Sequence, residues 1–120
     1  MRHNVHKLKL GLPRDQRAGM IGNLATSLIL HEKIQTTQAK AKALQPAIDK
    51  LINLGKKGSG KNVIREIGMI LQSDLSAKKL VDDIGKRYPG RSSGYTRITN
   101  IGFRPGDAAP VVQIELLEKS

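Results

Sequence analysis

The chain contains no cysteine and no tryptophan, and its aromatic residues are Tyr88, Tyr95 and Phe103 alone. Without thiols there is no disulfide framework, no thiolate zinc site and no cysteine nucleophile. So few rings argue against nucleic-acid binding by a sheet of several stacking aromatics, and they leave the core to aliphatic side chains. Long apolar runs are missing too. Leu28-Ile29-Leu30 is bounded by Ser27 and His31, far short of a membrane span. The opening residues, Met1-Arg2-His3-Asn4-Val5-His6-Lys7, lack the apolar stretch of a secretion signal, so the expected compartment is the cytoplasm. Acid is scarce: 10 Asp and Glu stand against 21 Lys and Arg, a formal net charge of +11. Such an excess calls for a polyanionic partner, nucleic acid before all others. An anionic membrane is the rival. There is no tryptophan anchor for it, no cysteine to acylate and no glycine at position 2 to myristoylate.

What is present suits one small domain of 120 residues with 38% hydrophobic content. Residues 1–13 read as an extended basic arm carrying Arg2, His3, Lys7 and Lys9, with Gly11 and Pro13 opposing a helix. Residues 14–120 read as a single domain. Ala18, Ile21, Leu24, Ala25 and Leu28 recur at helical spacing and predict a helix over 14–31. Arg14 and Arg17 sit at its start, where the helix dipole favours acids, which points to phosphate contact. Residues 32–37 predict a short strand, with Thr37 as N-cap of a second helix reaching about Leu54. Pro46 inside that helix predicts a kink or restart, and Lys40, Lys42 and Lys50 lie off its apolar stripe. Gly55 to Lys61 reads as a flexible basic loop. Helices follow over 62–72 and 76–87, the second capped by Ser76. Two strands, 95–103 and 111–118, close the chain around the turn Arg104-Pro105-Gly106-Asp107. Val112, Ile114 and Leu116 alternate to give the last strand one apolar face. The expected class is α+β: a two-layer α/β body whose small mixed sheet is covered by helices, in the order α-β-α-α-α-β-β, plus the arm.

From Lys86 to Arg104 there are five basic residues and no acidic one. Small residues such as Ser92 and Gly94 let backbone N–H groups approach phosphates, while Arg91, Arg97 and Arg104 supply planar forks for phosphate oxygens. Tyr95 either stacks on an exposed base or sits in the sheet's core, the second being the simpler reading.

Other chemistries fit poorly. Gly55-Lys56-Lys57-Gly58-Ser59-Gly60-Lys61-Asn62 nearly matches a phosphate loop. However, Asn62 stands where a magnesium-binding hydroxyl is required, and the preceding stretch has helical rather than strand period. His3, His6 and His31 are scattered and lack a carboxylate partner pattern, so no metal site and no cofactor is expected. Ser27 and His31 lie one turn apart without an orienting acid, and Asp82-Asp83 reads as a solvated face. The helices at 62–72 and 76–87 have helix-turn-helix spacing, which keeps a DNA-binding regulator as the second reading.

Several stretches, in order, resemble the bacterial large-subunit ribosomal protein seventeen family. They are Met1-Arg2-His3, Arg17-Ala18-Gly19-Met20, Asn23 to Ile29, His31 to Thr37, Lys40-Ala41-Lys42, Gly94-Tyr95-Thr96-Arg97-Ile98, Arg104 to Pro110 and Ile114-Glu115-Leu116. The chain departs from the family in its arm, where Leu8, Leu10 and Leu12 replace basic character. The resemblance implies a non-enzymatic structural constituent of the large subunit, bound to ribosomal RNA near the exit of the peptide tunnel. Its implied neighbours are other large-subunit proteins, those numbered twenty-two and thirty-two among them, with no membrane and no small-molecule substrate. The expected RNA-binding set is Arg2, His3, Lys7, Lys9, Arg14, Arg17, Lys40, Arg91, Ser92, Gly94, Tyr95, Arg97 and Arg104.

Overall fold

Helix α1 (Arg14–His31) opens the part of the chain that the structure, a computed structural model, describes: residues 14–58 and 60–118. The arm of residues 1–13 lies outside it. Strand β1 (Lys33–Thr37), helix α2 (Gln38–Lys56), helix α3 (Lys61–Gly68) and helix α4 (Asp74–Asp82) follow. A 3-10 turn (Ile84–Lys86) and strands β2 (Thr96–Phe103) and β3 (Pro110–Leu116) complete the order. This is the expected α+β succession.

Local chemistry sets most boundaries. Thr37 caps α2, its hydroxyl accepting from the Lys40 N–H at 3.4 Å. Glu32 ends α1 in the left-handed conformation at φ 68°, donating its N–H to Leu28 and turning the chain into β1. Pro46 does not interrupt α2, which runs through it as one element. A helix this long, with one face in the core, tolerates the loss of one hydrogen bond. The two later helices are shorter than their periodicity suggests. The third stops at Gly68. The fourth is capped by Ser73 rather than Ser76, the Ser73 hydroxyl accepting from Ser76 N at 3.3 Å. Ser76 is itself buried, its own hydroxyl donating back to Ser73 O at 2.8 Å.

The sheet has the order β1-β3-β2, and both pairings are antiparallel. The expectation of a mixed sheet is therefore corrected. The helical crossover does return β2 parallel to β1, but β3 slots between them, so each hydrogen-bonded neighbour runs the other way. Ile101 is an extra residue between Asn100 and Gly102 in the β2 register, a bulge of the kind that bends a strand locally and increases its twist.

The core is aliphatic apart from two tyrosines. Ala25, Leu28 and Ile29 of α1 meet Ala41, Leu44, Ile48, Leu51 and Ile52 of α2. Val112, Ile114 and Leu116 close it from the sheet. The apolar stripe of α1 sits one turn later than its sequence implies, since Ala18 is exposed and Ile29 is fully buried. Gly55 and Gly85 let α2 and the 3-10 turn touch backbone to backbone. A Cβ on Gly85 would stand 2.7 Å from Gly55 carbonyl atoms, closer than van der Waals contact allows.

One ion network ties the α1–β1 corner to the end of the helical layer. Arg87, largely buried, forks onto Glu32 at 2.7 and 2.9 Å and onto Asp83 at 2.9 Å. Lys79 adds a contact to Glu32 at 2.9 Å. Hydrogen bonds from Arg87, then from Lys79, hold the Glu32 carboxyl down at about 2 against the opposing effect of desolvation. A depressed carboxylate contributes its stability above its unfolded value, 4.5, and loses it as pH falls toward the folded one.

Two outcomes follow from these contacts. Gly85→Ala is expected to destabilise the protein by about 1–3 kcal/mol in urea unfolding, because the obstacle is backbone and cannot rotate away. The urea midpoints of the protein and its Glu32→Gln variant are expected to differ most above about pH 5 and to converge toward about pH 2. A constant difference across that range would show that the network does not titrate.

Candidate nucleic-acid interface

Pro89 to Gly94 carries no side chain able to anchor in an apolar core, so the basic loop has to be held by its ends and by polar contacts. Both ends are tyrosines. Tyr88 and Tyr95 are fully buried, with ring centroids 5.2 Å apart and planes tilted by 45°. The Tyr88 hydroxyl donates to the Leu117 carbonyl at 2.5 Å, and Leu117 N donates to Tyr95 O at 2.9 Å. The loop is thereby tied to the end of β3. Burial pushes the Tyr88 hydroxyl's pKa upward, keeping it protonated and able to donate.

The α2 side of the loop is a polar ladder spaced i, i+4, i+7. Asp49 accepts from Gly94 N and Tyr95 N, each at 3.4 Å. Asn53 donates to the Ser92 carbonyl at 3.0 Å. The Tyr95 hydroxyl stands 2.5 Å from Asn53 Oδ1 and 2.9 Å from Arg91 O, two acceptors for its single proton, and accepts from Lys56 Nζ at 3.2 Å. Lys56 also donates to Arg91 O and lies 5.4 Å from the centre of the Tyr95 ring. Gly94, at φ +70°, makes the turn back into β2. Arg91, Ser92, Ser93 and Gly94 remain exposed. The result is a loop with a fixed backbone and outward basic and hydroxyl groups.

The Tyr95 ring is enclosed, the simpler of the two readings its sequence allowed, so it is not open for a base to stack on. The aromatic side chain left in solvent is Phe103, 74% exposed on the hairpin.

The remaining expected residues fall into separate groups. Lys40 and Arg104, 64 positions apart, meet across an open cleft of about 340 Å³ lined also by Gln35, Thr36 and Thr37. Arg104 is engaged within its turn: its guanidinium grips both carboxylate oxygens of Asp107, with Nε 3.1 Å from Oδ1. This raises the Arg104 pKa and holds Asp107 at about 2. Half of the Arg104 side chain is still open to solvent. Arg97 is exposed on β2, with Glu115 3.9 Å away on β3. Arg14 and Arg17 border a second cleft, across from Lys50. Arg2, His3, Lys7 and Lys9 lie outside the described residues.

Sequence reasoning missed Asp49, Asn53 and Lys56 as positioning residues and set Lys50 aside as a solvated lysine. The i, i+4, i+7 spacing of the first three was a visible signal of a second working face on α2. The rival chemistries lose ground by geometry. The glycine- and lysine-rich stretch follows a helix rather than a strand, with Gly55 inside the last turn of α2. In the helix-turn-helix reading, Lys78, Lys79, Asp82, Asp83 and Lys86 are the side chains available to read bases; Lys79 and Asp83 are bound up in the Arg87 and Glu32 network, and acids face phosphates badly.

The sequence profile of the family described as Ribosomal protein L17 matches residues 20–117. Similar curated proteins include the "Large ribosomal subunit protein bL17" of Hyphomonas neptunium, 41% identical over 99% of this chain and 84% of the relative. That of Anaplasma marginale is 42% identical over 99% of this chain and 92% of the relative. That of Geotalea daltonii is 43% identical over the whole of this chain and 66% of the relative.

Tyr95→Phe removes a hydroxyl shared by three partners and is expected to cost about 1–2 kcal/mol of stability. Limited proteolysis is expected to cut faster between Pro89 and Gly94, while far-ultraviolet circular dichroism stays unchanged. Unaltered cleavage would show that the loop is not held by this hydroxyl.

Proposed function

Because the chain belongs to the ribosomal protein L17 family, we propose that it cements folded ribosomal RNA of the large subunit by charge neutralisation, near the exit of the peptide tunnel. A structural role on the large subunit comes with the family, and the protein is not an enzyme. Its place is on the ribosome in the cytoplasm. Neighbouring large-subunit proteins, with those numbered twenty-two and thirty-two as candidates, complete its surroundings.

The observation that carries the RNA reading is the clamped loop. Asp49, Asn53, Lys56 and Tyr95 hold the backbone from Arg91 to Gly94 in place while its side chains stay exposed, the Arg91 guanidinium donating to Gly94 O at 3.2 Å. A loop ordered before binding gives up little conformational entropy when phosphates arrive. Arg97 lies just downstream on β2 and Lys40 beside Arg104, so positive charge is offered at several separated points. Backbone phosphates of a folded RNA offer matching negative charge at many points, which is how such contacts position a protein. The arm, with Arg2, Lys7 and Lys9, would reach crevices that a rounded surface cannot enter.

Two measurements test this. The protein is expected to sediment with large subunits through a salt wash. A variant lacking residues 2–9 is expected to fold but to incorporate poorly. In filter binding to large-subunit ribosomal RNA, Arg97→Ala is expected to weaken affinity. It should also reduce the slope of log K against log salt by roughly 0.7–0.9, one phosphate contact. Protein that stays at the top of the gradient would overturn the ribosomal RNA reading. An unchanged slope would remove Arg97 from the interface.

A further inference from the structure

The cleft bordered by Arg14, Arg17 and Lys50 has a character that phosphate binding alone does not explain. Its floor is apolar: Ile21 of α1, Ala43 and Ala47 of α2, and Ile70 after α3. Met69, 79% exposed, stands at its rim. Among the described residues lining it there is no acid. Its volume is about 450 Å³, and it opens to solvent. Lys40, Ala43, Ala47 and Lys50 fall on one face of α2, so two small residues form a dip between two lysines.

A phosphate needs charge and donors, not a recessed aliphatic floor. A paired RNA helix presents sugars and phosphates over a broad surface and would bridge such a dip without filling it. An amphipathic protein helix needs anchor sites extended over several turns, and a cleft of this size offers room for one compact group. What fits both halves of the site is a flat apolar face joined to an anion. Resting on the RNA reading above, we propose that this cleft receives one unpaired nucleotide of ribosomal RNA. The base lies on the floor of Ile21, Ala43, Ala47 and Ile70. Arg14 and Arg17 take the flanking phosphates or lie along the base plane, as guanidinium groups do. Lys50 closes the charge from the opposite wall. Alanine at 43 and 47 is then a requirement of space: a larger side chain at either position would occupy the room meant for the base.

The test is chemical probing of base edges in large-subunit ribosomal RNA, with and without the protein. Ala43→Leu/Ala47→Leu fills the dip without changing charge, and leucine suits a helix almost as well as alanine. Lys50→Glu, on an exposed position, alters the rim without touching the core. The unmodified protein is expected to protect at least one unpaired base, and both variants are expected to lose that protection. Their affinity should fall about tenfold, within the range of one lost base stack, while contacts made by the clamped loop persist. If the double variant fails to fold by circular dichroism, Lys50→Glu decides alone. Binding by all three proteins with identical base reactivities overturns the cleft assignment, and is the result expected if a protein segment fills the dip. Failure of the unmodified protein to bind the RNA at all overturns the broader RNA reading instead.

Discussion

Two enclosed tyrosines fix the working surface. Tyr88 and Tyr95 bracket a loop that has no apolar anchor, and they hold it both to α2 and to the end of β3. The rings bury the ends of the loop, while the hydroxyls find acceptors that would otherwise be left without partners. The position of Tyr95 in turn sets where β2 begins. Through the pairing of Thr96 with Leu116, it also sets the register of the whole hairpin. The placement of Arg91, Arg97 and Arg104 relative to one another descends from that register.

Helix α2 is the element on which the two sides of the molecule meet. One stripe, from Ala41 to Ile52, faces the core. A second, Asp49, Asn53 and Lys56, grips the loop. A third, from Lys40 to Lys50 through two alanines, lines both clefts. A helix of 19 residues has enough turns to serve three neighbours, which explains why Pro46 is accommodated rather than allowed to break it. The surrounding contacts stabilise the helix more than one missing hydrogen bond weakens it.

Not every cation belongs to the partner-facing surface. Arg87 is largely buried and forks onto two acids, and Lys79 joins it through Glu32. A buried guanidinium left without carboxylates would be strongly destabilising, so these positions serve the fold. Arg104 stands between the two roles: its fork shapes the turn through Asp107, while half of its surface remains open. The same residue type therefore carries different duties according to whether acids lie beside it, a distinction invisible in a net charge of +11.

The order of elements, the apolar face of Val112, Ile114 and Leu116, the cap at Thr37 and the basic character of residues 86–104 were all determined by the sequence itself. Periodicity, capping chemistry and charge are local properties, legible wherever neighbours along the chain decide the outcome. Only the tertiary structure decided that β3 lies between β1 and β2. It also decided which partners hold the Tyr95 hydroxyl, and that Lys40 meets Arg104 across 64 positions. These depend on which surfaces come together in space, and a spacing of 3.6 or 2 residues states which face is apolar without naming what will cover it.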